Sequence, residues 1–230
     1  IIDGRDDWVN LFDKMIWQLD EPQADLAPIN VSIISSFAKN MGIKVLIGGA
    51  GGDDVFSGYR RHQALLLNSK LDYFPRYLFK MLSSLIQDIP FSNTKIRRLK
   101  KFSRDWGADD FDQLLGYFNW LPSNHFVFEM FSDKSLSKIL DYNPYSYGKK
   151  ILSECSVMSK LDQLLVLEQK TFLIDHNLNY TDKLSMVEGV EARVPYLDFD
   201  LVKLAGHIPQ SIKMKNNIPK YILKKVAEKY

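Results

Sequence analysis

The sequence predicts an α/β protein that is predominantly helical and carries a parallel sheet, and three observations support this. Ile43 to Ile47 is a brief β-branched and aliphatic run, suited in length and composition to a strand buried on both faces, as parallel strands are. An apolar stripe at helical spacing precedes it, and five glycines and two adjacent aspartates follow it in "IKVLIGGAGGDDVFSGYRRH". From Val55 to about Leu140 the text is helical and aromatic, with few strand-like segments.

Taken in order, the elements read as follows. The chain opens on Ile1-Ile2-Asp3, and Trp8, Val9, Phe12, Met15, Ile16 and Leu19 form a helical pattern almost at once, as if inside an existing fold. Pro28 suits an early helix position; Ile29, Ile33, Ile34, Phe37 and Ala38 make the next stripe, which Gly42 ends. The glycines after the strand fall beyond its carboxyl end, where open α/β sheets bind ligands, and Asp53-Asp54 can cap the helix behind them. Segments near Leu71 to Ile86 and Ile96 to Phe102 read as helices, and Asn143 to Gly148 reads as the clearest loop, close to the edge of an inserted helical portion at about 65–150. A long helix is expected over Lys160 to His176, with Leu161, Leu164, Leu165, Glu168 and Phe172 on one face. Lys183 follows Asp182 at the start of a short helix, and Glu191-Ala192-Arg193 leads to Val194-Pro195, which stops it.

Composition removes several classes of partner. With 230 residues, 46% hydrophobic and 13% aromatic, the chain can bury a core as one large domain or a domain with a lobe. Thirty basic against 28 acidic side chains give a net charge of +2, so no global field points to nucleic acid or membrane. The basic run "KIRRLKKFSR" reads as a solvated helix face with Ile96, Leu99 and Phe102 turned inward, because no stacking aromatics interleave its charges. No window reaches the roughly 18 apolar residues of a membrane span. The single cysteine, Cys155, excludes an internal disulfide, fits a cytoplasmic protein, and reads as a buried inert thiol. The four histidines show no metal-ligand spacing with one another, and the aromatics of 111–131 read as core.

Two stretches carry candidate chemistry. Gly48-Gly49-Ala50-Gly51-Gly52 can bring main-chain N–H groups close to an anion or nucleotide, with the aspartates as a metal or cation site; it can equally be a glycine-rich turn whose acids cap a helix. In "YTDKLSMVEGVEARVPYLDFDLVKLAGHIPQSIKM", Lys183 can face a phosphate or a developing negative charge, while Glu191 and Arg193 suit a buried ion pair bracing the turn.

"EPQADLAPIN", "VLIGGAGGDDVFSGYRRH" and "TDKLSMVEGVEARVPYLD", three blocks in order, resemble the synthetase domain of the glutamine-hydrolysing asparagine synthetase family, and the likeness extends through "IPQSIKMKNNIPKYILKKVAEKY". The resemblance implies an ATP-pyrophosphatase type of α/β fold, with a partial parallel sheet and flanking helices. It also implies a ligase that attacks the α-phosphorus of ATP with a carboxylate, such as aspartate or a related acid. Pyrophosphate leaves, and ammonia or an amine converts the acyl-adenylate to an amide. Carried onto this chain, Asp53 would hold Mg²⁺ or the substrate amine, and Gly49, Gly51 and Gly52 would bring backbone to the adenylate. Asp54 and Tyr59 would join the substrate and nucleotide site, Lys183 would stabilise developing charge, and Glu191 and Arg193 would hold the lysine's segment. A glutaminase domain elsewhere in the parent protein would supply ammonia, and a homodimer is one assembly the resemblance allows.

Two departures from the family pattern stand out. Gly48-Gly49-Ala50 replaces its Ser-Gly-Glu lead-in, which removes a carboxylate associated with substrate recognition and amide formation. Its pyrophosphate loop, Ser-Gly-Gly-x-Asp-Ser, does not occur in these 230 residues, and neither does the glutaminase nucleophile, since Ile1 stands first. The chain is therefore expected to be the carboxy-terminal part of a longer enzyme, inactive by itself and with a sheet edge and an apolar face left open. A degenerate, non-catalytic module that binds nucleotide or a partner is the alternative that Ala50 favours.

Overall fold

The computed structural model describes residues 8–21, 23, 25–70, 75–90, 93–119, 129, 131–139 and 142–230. The chain divides into two units: Ile1–Tyr59 with Glu168–Tyr230, and Arg60–Leu167.

In the first unit, α1 (Trp8–Leu19) and α2 (Ala27–Asn40) pack with α11 (Asn179–Val187). Their apolar stripes meet at Met15, Leu19, Ile29 and Leu184, all essentially buried. Burying such side chains supplies about 1.5–3 kcal/mol each, which is what holds three short helices together. Pro28 sits in the first turn of α2, and Met41 and Gly42 close its end.

Behind this layer lies β1 (Val45–Ile47), paired in parallel with β2 (Glu191–Arg193), so that Leu46 faces Ala192 across the ladder. The N–H of Glu191 donates to Lys44 at 2.8 Å and that of Gly48 to Arg193 at 2.7 Å, carrying the ladder past both ends. The expectation that β1 is buried on both faces does not hold: Val45 and Ile47 are exposed, Ile47 at 79%. With β2 as its partner among the described residues, the face that carries Val45 and Ile47 stays open. Glu191 to Arg193 likewise departs from expectation, being strand rather than helix. α11 ends at Val187, and the N–H of Val190 folds back to Ser185 at 3.1 Å, which frees the next three residues to pair with β1.

The rest of this unit forms a second apolar cluster. Val55 and Phe56 of α3 (Gly52–Phe56) pack against Ala205 of α12 (Phe199–Gly206) and against Ile222 and Leu223 of α14 (Tyr221–Ala227). Tyr196 and Leu197 of a 3₁₀ turn (Pro195–Leu197) pack against this cluster, and α13 (Gln210–Lys213) lies between α12 and α14 in the chain.

The second unit is helical: α4 (Arg60–Ser69), α5 (Arg76–Asp88), α6 (Thr94–Ser103), α7 (Asp110–Gly116), α8 (Asp133–Ile139) and α9 (Ser146–Glu154) precede α10 (Lys160–Lys170). Leu65, Leu114, Leu115, Ile151, Leu152, Leu161, Leu164 and Leu165 form its core, with Phe111, Tyr117 and Phe118 packed against them. Phe131 is exposed, and 120–128 lie outside the described residues. The segment read as a loop at Asn143 to Gly148 is helical from Ser146. Gly148 is there for packing, since a Cβ on it would stand 2.4 Å from Leu115 Cδ2. The basic helix α6 also turns differently from expectation. Leu99 is exposed, whereas Lys100 is buried and its Nζ donates to the Gln87 carbonyl at 2.6 Å. Cys155 is buried, its thiol donating to the Ile151 carbonyl at 3.3 Å.

The long helix expected over Lys160 to His176 leaves α geometry at Thr171. A π-helical segment, Phe172–Leu178, links α10 to α11. The wider turn shifts the facing residue by one, so that Leu173 rather than Phe172 is buried. Phe172 instead contacts the rings of Tyr59, at 6.1 Å, and His176, at 4.8 Å.

Candidate functional site at the glycine turn

The chain leaves β1 through Gly48 to Gly51 and enters α3 at Gly52. Gly51 has φ +87°, and a Cβ there would lie 2.3 Å from Leu197 Cδ2, so both backbone angle and space require glycine. Gly51 is also the cap of α3. Asp53 and Asp54 therefore lie inside the first turn, where they complement the helix dipole, and are not the cap the sequence suggested.

A cavity of about 570 Å³ opens at this turn, walled by β1, α2, the π-helical segment and α11. Gly49, Ala50, Gly51, Asp53, Asp54 and Tyr59 line it together with Asp25, His176, Asn177, Tyr180 and Thr181. Ile34 and Ile47 form an apolar border. Asp25, Asp53 and Asp54 bring three carboxylates to this wall, and no lysine or arginine lines it among the described residues.

Hydrogen bonds fix the polar side chains. Asp54 is buried and lies 3.3 Å from the Tyr59 hydroxyl, which in turn accepts from Asn177 Nδ2 at 3.0 Å. The His176 ring nitrogens meet Asp25 Oδ2 at 3.0 Å and Gln23 Nε2 at 3.2 Å, an arrangement satisfied by the Nε2–H tautomer. Asp25 Oδ1 accepts from the N–H of Ala27 at 3.0 Å, which anchors the carboxylate at the start of α2. Burial raises the Tyr180 phenol above its ordinary range, and the charges of Asp25 and Asp54 add to that shift.

Asp53 lies between Gly58 and Lys220. An ideal Cβ on Gly58 would fall 1.5 Å from Asp53 Oδ1, so the missing side chain of Gly58 is what admits the carboxylate. Lys220 Nζ lies 2.8 Å from the same oxygen. Mg²⁺ prefers oxygen ligands and commonly takes one or two carboxylates together with substrate phosphates. Asp53 offers such oxygens at the cavity wall, and the described residues hold no cluster of three metal-binding side chains. The donor set thus fits a cation carried on phosphates.

Of the residues singled out from the sequence, Gly49, Gly51, Asp53, Asp54 and Tyr59 come together here. Gly52 does not line the cavity; its α-carbon abuts the Tyr196 ring, 3.3 Å from where a Cβ would lie. Lys183 lies within α11, past its first turn, with Nζ donating to the Leu19 carbonyl at 2.8 Å and lying 3.4 Å from Asp20. Glu191 and Arg193 pair at 2.8 Å, but on an exposed face rather than as a buried brace, because alternation along β2 turns only Ala192 toward the cavity. The Arg193 hydrogen bond and charge hold the Glu191 carboxyl below its ordinary range. Asp25, His176, Asn177 and Lys220 escaped sequence reasoning. Asp25 lay within "EPQADLAPIN", and Lys220 follows an Asn-Asn pair suited to left-handed backbone, but nothing local ties either to the glycine turn.

A parallel strand ending in a glycine turn over an acid-walled cavity is the arrangement at which open α/β sheets commonly place a ligand. The chain belongs to the asparagine synthase family, whose model matches residues 2–230. It is 30% identical over 227 residues to asparagine synthetase [glutamine-hydrolyzing] 1 of Bacillus subtilis, a match covering 97% of this chain and 34% of that protein. It is 24% identical over 230 residues to a putative asparagine synthetase of Mycobacterium bovis, covering 98% and 33%. To amidase chyE of Penicillium rubens it is 23% identical over 239 residues, covering 95% and 34%. The chain thus spans about a third of the length of the curated relatives it matches. No solved structure matches it.

Proposed function

We propose that this chain forms part of an ATP-dependent, amide-forming ligase that works through an acyl-adenylate. The observation that carries the reading is the meeting of the glycine turn, Asp53 and Tyr59 on one cavity at the carboxyl end of β1, in a chain of the asparagine synthase family. A substrate carboxylate attacks the α-phosphorus of ATP, and pyrophosphate departs. Ammonia released from glutamine, or another amine, then attacks the acyl carbon; the new C–N bond displaces AMP. The main chain at Gly49 and Gly51 would approach the adenylate, and Asp53 would hold the cation. Bound Mg²⁺ would neutralise phosphate charge. Tyr59 and Asn177 fix Asp54 at the wall. Lys183 meets developing charge once its ammonium leaves the Leu19 carbonyl, and Glu191 and Arg193 steady β2. The acid is aspartate or a related carboxylate, with Ala50 leaving room in place of an acidic side chain.

A non-catalytic binding module is the second reading, favoured by the internal ion pairs that occupy Asp53 and Lys183. The full-length protein decides between them by ATP–pyrophosphate exchange with Mg²⁺ over a panel of carboxylic acids. The ligase shows exchange that depends on one acid and falls at least about 100-fold in Asp53→Ala. Folded protein with no exchange on any acid supports the module.

A further inference from the structure

We infer that Lys220 is the exchangeable counter-ion of Asp53: it neutralises the carboxylate in the ligand-free protein, yields it to a divalent cation, and passes its ammonium to the incoming phosphates. This rests on the ligase reading for its last step, and on geometry for the first two.

The segment that delivers Lys220 is unusual in its backbone. Asn216, Asn217 and Lys220 adopt φ of +52°, +61° and +52°, within five residues. Asparagine tolerates the left-handed region, whereas lysine has no side-chain reason to be there. Lys220 stands at the cap of α14, yet its side chain makes no capping bond, and its N–H reaches the Ser57 carbonyl only at 3.4 Å. The strained turn does bring Nζ 2.8 Å from Asp53 Oδ1.

Stability does not explain that contact. The two side chains are 36% and 37% exposed, and an ion pair so open to water contributes no more than a non-glycine residue in the left-handed region costs. The chemistry of the cavity does explain it. A phosphate chain entering here meets Asp25, Asp53 and Asp54 with no lysine or arginine among the described lining residues, and Lys183 is turned to Leu19 and Asp20. A cation is needed on the phosphate side, and Lys220 already touches the carboxylate that a metal would take. Gly58 leaves the space that this carboxylate occupies, since a Cβ there would fall 1.5 Å from its Oδ1.

The test uses the full-length protein and Mn²⁺ as a spectroscopic stand-in for Mg²⁺. Without nucleotide, Lys220→Met and Lys220→Gly should each bind Mn²⁺ at least fivefold more tightly than wild type, because the competing ammonium is gone. Lys220→Arg should bind like wild type, and Asp53→Asn should lose the site. The glycine variant also relieves the backbone, so agreement with the methionine variant assigns the effect to charge. With ATP, Lys220→Met should raise the KM for MgATP at least tenfold in pyrophosphate exchange, and Lys220→Arg should restore it. Unchanged Mn²⁺ affinity in both uncharged variants, or no Asp53-dependent Mn²⁺ binding in any of them, overturns the inference. Wild-type protein without exchange on any acid overturns the ligase reading instead, and the Mn²⁺ titration still decides the ion pair.

Discussion

Gly51 shows how much one residue can carry at this site. Its φ of +87° and the Leu197 methyl 2.3 Å from the position a Cβ would take act together, so Gly51→Ala meets both a backbone penalty and a clash. The two add to about 2–4 kcal/mol, and chemical denaturation of the protein should show a loss of that size. A loss below about 1 kcal/mol would mean that Leu197 retreats without effect on the turn. Residues of this kind were legible in the sequence, because a run of glycines after an apolar strand is local information. The destinations of Lys183, Glu191 and Arg193 were not, since they depend on the register of β2 and on the surroundings of α11. A shift of one residue along a strand exchanges the side chains that face a cavity with those that face water, which is why Ala192 lines the site and its charged neighbours do not.

Between elements, a clamp outside the cavity ties the end of α11 to α1 and α2. Glu188, just past α11, accepts from Lys14 of α1 at 3.2 Å and from Lys39 of α2 at 3.1 Å. Burial pushes its carboxyl upward, but the hydrogen bonds and charges of Lys39 and Lys14 outweigh that, and the net shift is downward from the ordinary value of 4.5. A carboxyl with a lowered folded-state pKa stabilises the protein above its unfolded value, and that contribution disappears as pH falls through the folded one. Glu188→Gln should therefore destabilise by about 1 kcal/mol at neutral pH, with solvent screening of both lysines taken into account. The gap between variant and wild type should narrow from about pH 4.5 downward and vanish in stronger acid. Thermal melts across that range test it; a gap that persists in strong acid would assign the effect to packing. The helices of this clamp were readable from their apolar stripes, whereas the π-helical segment was not, because its sequence keeps an ordinary helical pattern through Phe172.

At the scale of the molecule, the sequence correctly announced a mainly helical α/β chain with a parallel sheet, but misjudged the surroundings of the sheet. Parallel strands usually read as continuous apolar runs because helices cover both faces, and Ile43 to Ile47 has that composition. In the structure Ile47 is 79% exposed, and Ile34 and Phe37 of α2 are about half exposed. Ile34 and Ile47 make an apolar border on a cavity that also carries three aspartates. Exposed apolar surface next to a strand edge that no other described strand covers favours association with a like surface. These 230 residues expressed alone should therefore self-associate as concentration rises, measured by sedimentation velocity, and Ile47→Lys should shift them toward monomer by placing a charge on that border. Because Ile47 is so open, the substitution removes little buried area and should leave the melting temperature nearly unchanged. Association that is equally strong in Ile47→Lys would locate the sticky surface elsewhere, with the exposed face of α5, at Tyr77, Met81 and Leu85, as the next surface to charge.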